Sequence, residues 1–462
     1  MTQIALGQMR RRPAAFAGLA VALFLAIATV TLFGSLFAAD VNTPASLRKA
    51  VAGPGLMVIA GAFGEIAVLV AFFVVVNALG FALRQQHREL ALLRTIAATP
   101  RQTRRLVRVQ VVATTLLVTV PGGFVGTVAA RRLLAELQGR DMAAPGVRVP
   151  ETLLPVPVPV PVPVALAAAL AVGLMASAVA ARRISRIAPA AALTASSTEQ
   201  GRTGVPRLLA GIGALAGGVL LLRLAATRPS DELDKAGQAA LLGSLVLLVA
   251  VTLAGPVAAR VLTAVLGAPV RALAPGAGWL ADANLRGYAQ RLSSAVVPVA
   301  LLVGLSGTML IMTSTAGQVA GAPSTSVTSA TDVWLRQAEL ALLICFATVS
   351  TVNTLIAVTA DRRREFAVLR LLGATWSQLM RMLTVEAVLT TAVGVLLGAA
   401  VAGTASAAFS LAVTGSAMPS VPVGACWWII TGAAALTVPA ILATGLRAVR
   451  GPAAELVGGG RD

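Results

Sequence analysis

One stretch of this chain occurs twice. Residues 77–105 recur at residues 353–381, and every matched pair is separated by the same 276 positions. The matches include polar residues, such as Gln102 with Gln378, as well as the apolar residues between them. A long repeat without a register slip indicates a duplicated structural unit. Each copy joins two long apolar runs, so the sequence predicts two related units, each built around such a connection.

Long apolar runs decide the class of fold. Of the 462 residues, 57% are hydrophobic and only 12% are charged, which is too apolar for a water-soluble globular protein. Several runs exceed the roughly 18–20 residues that a helix needs to cross a bilayer. We count ten predicted spans, at residues 14–38, 56–83, 109–130, 164–181, 208–222, 239–259, 295–313, 338–360, 387–408 and 425–446. The sequence therefore predicts an all-α polytopic membrane protein.

The repeat divides these spans into two parallel four-helix units and an insert. We assign residues 1–195 to the first unit with helices 1–4, and residues 279–462 to the second unit with helices 7–10. Residues 196–278 hold a predicted cytoplasmic linker and helices 5 and 6. Each unit has an even number of spans and the copies share their sidedness, so the repeat is parallel rather than inverted.

The distribution of charge predicts how the chain is oriented. The net charge is +19, but the arginines cluster beside the ends of the apolar runs. That pattern sets membrane topology by the positive-inside rule and does not indicate nucleic-acid binding. We expect both termini on the cytoplasmic side of a bacterial plasma membrane. The alanine-rich, lysine-poor composition is the basis for the bacterial assignment.

Two smaller features concern packing within the membrane. Cys345 and Cys426 both lie in apolar segments, where small buried thiols are favoured over the alternative of a disulfide. The fifth predicted span is rich in glycine, and Gly213 and Gly217, with Gly211 and Gly218, give it a small-residue face for close contact with another helix.

Charged segments follow the second and eighth predicted spans, at residues 84–105 and 362–381. We call them the first and second elbows. Each mixes arginine and glutamate with apolar residues and then reaches a turn signal, after which a second short helix is predicted to lead back to the membrane. Such a surface suits the docking of a cytoplasmic partner. The alternative, a pair of solvated loops, explains the arginines but not the matched glutamates, glutamines and apolar positions.

The elbow sequences resemble a known family. The pattern R-E-x-A-x-L-R-x-x-G-A-T at residues 364–375 is similar to the FtsX-like permease domain of ATP-binding-cassette (ABC) transporters, in the MacB-type group. Residues 88–99 resemble it too, with Ala97 where glycine is expected. The resemblance implies a membrane subunit that is not itself an enzyme and is driven by a separate ATPase. ATP and Mg²⁺ would bind in that partner, because this chain has no phosphate-binding loop, and we expect no cofactor here.

In this family the elbow couples the permease to its ATP-binding subunit, so two elbows imply two copies of the cytoplasmic ATPase. The predicted coupling residues, carried over one by one, are Arg88, Glu89, Leu93, Arg94, Ala98 and Gln102 in the first elbow, and Arg364, Glu365, Leu369, Arg370, Gly373, Ala374 and Gln378 in the second.

The resemblance and the short predicted outer loops imply export of a hydrophobic or amphipathic compound or peptide. One alternative is a non-transporting mechanotransmission or sensor subunit that acts on an extracellular partner. Another is an ATP-independent secondary transporter, which would need charged, repeat-related residues near the bilayer midplane. The predicted intramembrane polar residues are only Glu65 and the paired Asn77 and Asn353. His87 is the only histidine, which excludes a histidine-based triad or metal site.

Overall fold

The fold is known in detail for most, but not all, of the chain. A computed structural model describes residues 13–44, 99–140, 143–149, 205–228, 233–273, 275–287, 289–319 and 363–449, with isolated residues between 56 and 82 and between 337 and 351. The chain divides into two compact units, Met1–Ser197 and Thr198–Asp462. The helices of the predicted insert therefore group with the second unit.

Every regular element in the described ranges is an α-helix. The first unit contains α1 (Pro13–Val41) and α2 (Pro100–Gln138). The second contains α3 (Val205–Ala226), α4 (Leu233–Leu273), α5 (Pro275–Gly287), α6 (Ala289–Val319), α7 (Arg363–Leu371), α8 (Trp376–Thr414) and α9 (Val423–Val449).

Seven of these helices are long and apolar enough to cross a membrane, namely α1, α2, α3, α4, α6, α8 and α9. They coincide with the first, third, fifth, sixth, seventh, ninth and tenth predicted spans. The second, fourth and eighth predicted spans lie largely or wholly outside the described residues. The prediction of an all-α polytopic membrane fold is confirmed.

Helices α2 and α8 reproduce the sequence repeat in three dimensions. Each has 39 residues, and both their first and their last residues are separated by the same 276 positions as the repeat. At 1.5 Å per residue, each helix is about 58 Å long. A bilayer's hydrocarbon core is only about 30 Å thick, so both helices project beyond it. The separate short helix predicted before each of these spans is instead the first turns of one continuous helix.

Each unit is built around a pair of packed helices. α1 packs on α2 in the first unit, and α6 packs on α8 in the second, where α4 and α9 also contact α6 and leave it almost completely buried. Glycines bring the second pair together. A Cβ at Gly398 of α8 would lie only 2.8 Å from the carbonyl oxygen of Ala300 and 2.9 Å from the amide nitrogen of Gly304 on α6. Small residues at such crossings let two backbones approach closely in a membrane.

The predicted close contact of the fifth span is present, and two of its four predicted glycines make it. Gly211 and Gly218 face α4, where a Cβ would lie 3.3 Å from the amide nitrogen of Ala254 and 2.7 Å from the side chain of Leu247, respectively. Gly213 faces open space, and Gly217 has only an ordinary contact. Residues seven positions apart share one face of a helix, and residues 213 and 217 are rotated away from that face.

Arg207 donates hydrogen bonds to the backbone carbonyls that precede a proline in α4. Pro256 has no N–H, so the carbonyl of Thr252 loses its usual helical donor. Arg207 of α3 donates from Nη2 to the Thr252 carbonyl at 3.0 Å, and from Nε to the Leu253 carbonyl at 3.1 Å. The guanidinium therefore joins α3 to α4 at the carbonyls that precede Pro256.

Both cysteines are free thiols. Cys426 is half-buried and Cys345 is exposed on the protein surface. The prediction of small buried residues is therefore wrong for Cys345, because an apolar helix in a membrane also presents apolar side chains outward to lipid.

Candidate functional site: the second elbow

The second elbow turns sharply between α7 and α8. Gly373 has a φ of 90°, a left-handed conformation that glycine adopts without steric cost. Its N–H donates to the Arg370 carbonyl, and the N–H of Ala374 donates to the Leu369 carbonyl, both at 3.0 Å. These two bonds form a Schellman motif, which ends a helix by satisfying its last carbonyls. The glycine of the sequence pattern is therefore required by backbone geometry.

The next residue of the pattern, Thr375, starts α8. Its Oγ1 accepts from the N–H of Gln378 at 3.3 Å, while Gln378 Oε1 accepts from the N–H of Thr375 at 2.9 Å. Thr99 and Gln102 form the same capping box at the start of α2, at 3.3 and 2.8 Å. Reciprocal capping satisfies two amides that a helix start would leave unpaired. Helix capping thus accounts for the repeated glutamines, which the sequence had suggested as evidence for docking.

A buried apolar cluster holds the elbow in place. Its members are Phe366 of α7, Leu379, Met382 and Leu383 of α8, and Ala281 of α5. Leu369 and Ala374, the two residues that flank the corner, pack against this cluster. An apolar contact of this kind commonly accompanies a Schellman motif.

Two neighbouring helices support the cluster. A Cβ at Gly445 of α9 would lie 2.6 Å from the side chain of Leu383, so α9 and α8 approach closely here. Arg271 of α4 donates from Nη1 to Oδ2 of the buried Asp282 at 2.9 Å, which fixes α5 beneath the elbow. Because packed interiors transmit displacement rather than absorb it, a movement of α7 reaches α8 directly.

The opposite face of the elbow is apolar and exposed. Val368, Leu371 and Leu372 follow the i, i+3, i+4 spacing of one helix face, and Trp376 extends that surface onto α8. Leu372 is 79% exposed and Trp376 is 54% exposed. Exposed arginines, Arg370 and Arg381, lie on the same elbow. We call Val368, Leu371, Leu372 and Trp376 the elbow patch. Large apolar side chains flanked by arginine are typical of protein interfaces.

The predicted coupling residues that the structure describes divide by position. Leu369, Gly373, Ala374 and Gln378 build the corner, and Arg370 is exposed beside it. Arg364 and Glu365 lie in α7, but their side chains are outside what the structure describes. The remaining predicted residues, Arg88, Glu89, Leu93, Arg94, Ala98, Glu65, Asn77 and Asn353, lie outside the described residues.

The predicted set contains none of the four residues of the elbow patch. The signal for it was present, because the nine-residue helix α7 carries two apolar stripes on opposite faces, one with Phe366 and one with Leu371. A nine-residue helix needs only one apolar stripe to pack on its own domain, so the second stripe indicated a surface for a partner.

A buried polar pair also escaped the sequence analysis. Gln110 of α2 and Glu386 of α8 are separated by the repeat's 276 positions, and both are buried. Glu386 lies one helical turn beyond Met382 of the elbow cluster. Ionisable residues buried in membrane helices are functional candidates, and the repeat register would have revealed this pair. Further along the chain in α8, the hydroxyl of Thr391 forms a hydrogen bond of 2.7 Å with the hydroxyl of Thr437 on α9.

Comparison with protein families agrees with this architecture. The family model described as FtsX-like permease C-terminal matches residues 61–189 and 338–453, more than half of the chain. The first match contains α2, and the second contains the second elbow, α8 and α9. A search among curated proteins finds no match. With two matched regions that coincide with its internal repeat, the chain belongs to the FtsX-like permease family and carries two copies of the family's domain.

Proposed function

We propose that this chain is the membrane subunit of an ABC transporter in a bacterial plasma membrane, with both elbows and both termini on the cytoplasmic side. A separate ATPase subunit docks on each elbow and supplies ATP and Mg²⁺ binding. The family membership and the arginine distribution support this assignment. The observation that carries it is the elbow patch, since a corner fixed by two capping motifs presents large apolar side chains to the solvent.

The packing beneath the elbow supports a route for coupling. Closure of the two ATPase subunits on ATP moves each elbow with its own subunit. Phe366 ties α7 to α8, so α8 follows that movement as a rigid rod. Gly398 lies at the crossing of α8 with α6, so the displacement passes into the core of the second unit there.

The short connection between α8 and α9 supports a membrane-embedded cargo. The connection between α8 and α9 is held down by Ser410, whose hydroxyl donates to the Met418 carbonyl at 3.1 Å. The N–H of Ser420 donates to Thr315 Oγ1 of α6, also at 3.1 Å. This connection has no room for an extracytoplasmic domain. We therefore propose export of a hydrophobic or amphipathic compound or peptide that enters from the membrane.

Docking is tested by co-purification with candidate cytoplasmic ATPases in detergent. The test variant is Leu372→Ser/Trp376→Ser, and the matched control is Trp427→Ser, which changes an exposed tryptophan at the start of α9. We expect the test variant to lose at least half of the bound ATPase, because one of two elbows is altered, and the control to retain it. Equal retention by both variants, in protein that inserts normally, would exclude the elbow patch as the docking site.

Transport is tested in proteoliposomes that contain the permease and the ATPase it retains. We expect ATP-dependent movement of a fluorescent amphipathic peptide, and no movement when the ATPase is replaced by a hydrolysis-deficient variant. ATP hydrolysis that depends on the permease but moves no member of a panel of lipophilic and peptide cargoes would contradict export. That result would favour mechanotransmission.

A further inference from the structure

The last turns of α2 carry exposed positive charge that α8 lacks. Arg131 and Arg132 directly follow the predicted span at residues 109–130, and both are exposed. In the repeat register their counterparts on α8 are Ala407 and Ala408. Because α8 forms a helix of the same length without these charges, the two arginines are not required for the helix to form.

A loop adds a third arginine to the same end of α2. Gln138 donates from Nε2 to the carbonyls of Ala144 and Val147, at 3.0 and 2.9 Å, and so ties the loop after α2 to the helix. Val147 is buried, whereas the next residue, Arg148, is exposed. Gln138 follows Arg131 by two turns and therefore lies on the same side of α2, about 10 Å further along its axis. The loop thus presents Arg148 near the side of the helix that carries Arg131.

These three arginines have no described acidic partner. We call Arg131, Arg132 and Arg148 the α2 arginine cluster. Within the described parts of the chain, no carboxylate lies within 4 Å of any of their guanidinium groups. Glu136 lies on the same helix, but it contacts Arg140 instead, at 4.0 Å. The positive charge of the cluster is therefore available to an anionic ligand.

The cluster lies at the end of a lipid-facing surface. Phe124 is 61% exposed and Val128 is 38% exposed. Their spacing of three, four and seven residues from Arg131 and Arg132 places all four on one side of α2. Exposed apolar side chains of a membrane helix contact acyl chains, and arginines at the end of the span extend to the interface where the lipid phosphates lie.

Membrane topology does not explain this charge. The proposed orientation puts the start of α2 in the cytoplasm, so the α2 arginine cluster lies at the outer leaflet. The positive-inside rule accounts for arginines at cytoplasmic ends of spans, not at outer ends. The corresponding connection after α8 has no charged residue between positions 412 and 424. An anionic ligand at the end of α2 accounts for the difference between the two copies.

We propose that the α2 arginine cluster binds the headgroup of an anionic phospholipid whose acyl chains lie along Phe124 and Val128. A guanidinium binds two phosphate oxygens through parallel N–H donors, and basic clusters beside membrane helices recognise acidic lipids. A zwitterionic lipid carries a compensating cation next to its phosphate, so the cluster favours lipids with net negative charge. The site is separate from the elbows, so the inference goes beyond the proposed function and relies on it only for the choice of leaflet.

The test is photo-crosslinking of the full chain in phosphatidylcholine nanodiscs. Two lipid probes carry the same diazirine on one acyl chain and differ only in their headgroup, phosphatidylglycerol or phosphatidylcholine. We expect the phosphatidylglycerol probe to give at least five times more adduct on residues 117–130, as measured by mass spectrometry of the peptides. No ATPase is present, so this result is independent of docking at the elbows.

A triple variant separates recognition by the cluster from general lipid contact. It replaces each arginine of the cluster, as Arg131→Gln/Arg132→Gln/Arg148→Gln, and is expected to bring the ratio of the two adducts close to one. The matched control removes the same number of exposed positive charges elsewhere, as Arg105→Gln/Arg108→Gln/Arg260→Gln, and is expected to keep the wild-type ratio.

Three results would overturn the proposal. Equal labelling of the wild-type protein by the two probes would show that the headgroup is not recognised, and this comparison needs no variant. A ratio that the triple variant leaves unchanged would place the selectivity elsewhere in the chain. An equal loss in the control would show that net charge, and not the α2 arginine cluster, attracts the lipid.

Discussion

Gly122 of α2 and Gly398 of α8 hold the same position in the two copies of the repeat, and each lies where its helix crosses another membrane helix, α1 or α6. Gly122 faces the carbonyl oxygen of Phe24, and Gly398 faces that of Ala300. The approach is closer in the second unit. A Cβ would lie 3.2 Å from the Phe24 oxygen at position 122, but only 2.8 Å from the Ala300 oxygen at position 398. Both copies therefore have the helix crossing, but the two backbones approach each other more closely at this position in the second copy.

Gly398→Ala is therefore expected to destabilise the protein more than Gly122→Ala. The backbone of α6 must move to accept the methyl group, and overpacking of this kind typically costs about 1–3 kcal/mol. Thermal unfolding in detergent measures the difference. The control is Gly403→Ala, where nothing lies within 4 Å and alanine favours the helix. A Gly398→Ala variant as stable as the control would show that the crossing is not tight.

At the next contact along the same crossing, the glycine lies on opposite partners in the two copies. In the first unit Gly126 of α2 faces Ala28 of α1, and in the second unit Ala402 of α8 faces Gly307 of α6. A Cβ at Gly307 would lie 3.1 Å from the Cβ of Ala402. We expect Gly307→Ala to lower the unfolding temperature and Gly307→Ala/Ala402→Gly to recover most of the loss, since the pair then has the first unit's arrangement. A double-mutant cycle measures this coupling, and additive effects would contradict it.

Gly373→Ala tests the corner of the second elbow. The position is open, so the expected cost of about 1–2 kcal/mol comes from the left-handed backbone alone. Gly432→Ala is the matched control, because that helical glycine is equally open but has no positive φ. Hydrogen exchange is expected to quicken at the amides of Gly373 and Ala374 in the first variant only. Unchanged protection at both amides would argue against the Schellman motif.

Thr375→Val tests the start of α8. Valine keeps the shape of threonine but cannot accept from the N–H of Gln378, and loss of an N-cap typically costs about 0.5–2 kcal/mol. Thr375→Ser keeps the oxygen and is expected to retain most of the stability. Denaturation in detergent compares the two. If the serine variant is as unstable as the valine variant, the capping box does not stabilise this helix.

Arg207→Met is expected to destabilise the contact between α3 and α4, because two carbonyls lose a charged donor. Hydrogen bonds to charged groups contribute about 1.5–3 kcal/mol. Pro256→Ala restores an N–H for the Thr252 carbonyl, so Arg207→Met should cost less in that background. Unfolding of the four proteins in the cycle measures the difference. An equal cost in both backgrounds would mean that Arg207 does not compensate for the proline.

Much of the fold follows from the sequence for reasons that lie within single segments. An apolar run as long as α1 must be a helix in a membrane, because its backbone groups need internal partners. The corner at Gly373 is also predictable, since the left-handed residue and the threonine cap are local features. The repeat predicted that α2 and α8 correspond, but the predicted spans, residues 109–130 and 387–408, are shorter than these helices at both ends.

The sequence alone therefore determined which segments are helices, where the second elbow turns, and that the units repeat. Only the tertiary structure decided which side of each helix is covered. Gly211 rather than Gly213 meets α4, and Leu117 is open where Val393 is enclosed. The physical reason is that helices in lipid are apolar on all sides, so hydrophobic periodicity no longer marks the packed face. That choice depends on neighbours distant in sequence, such as the insert helix α4.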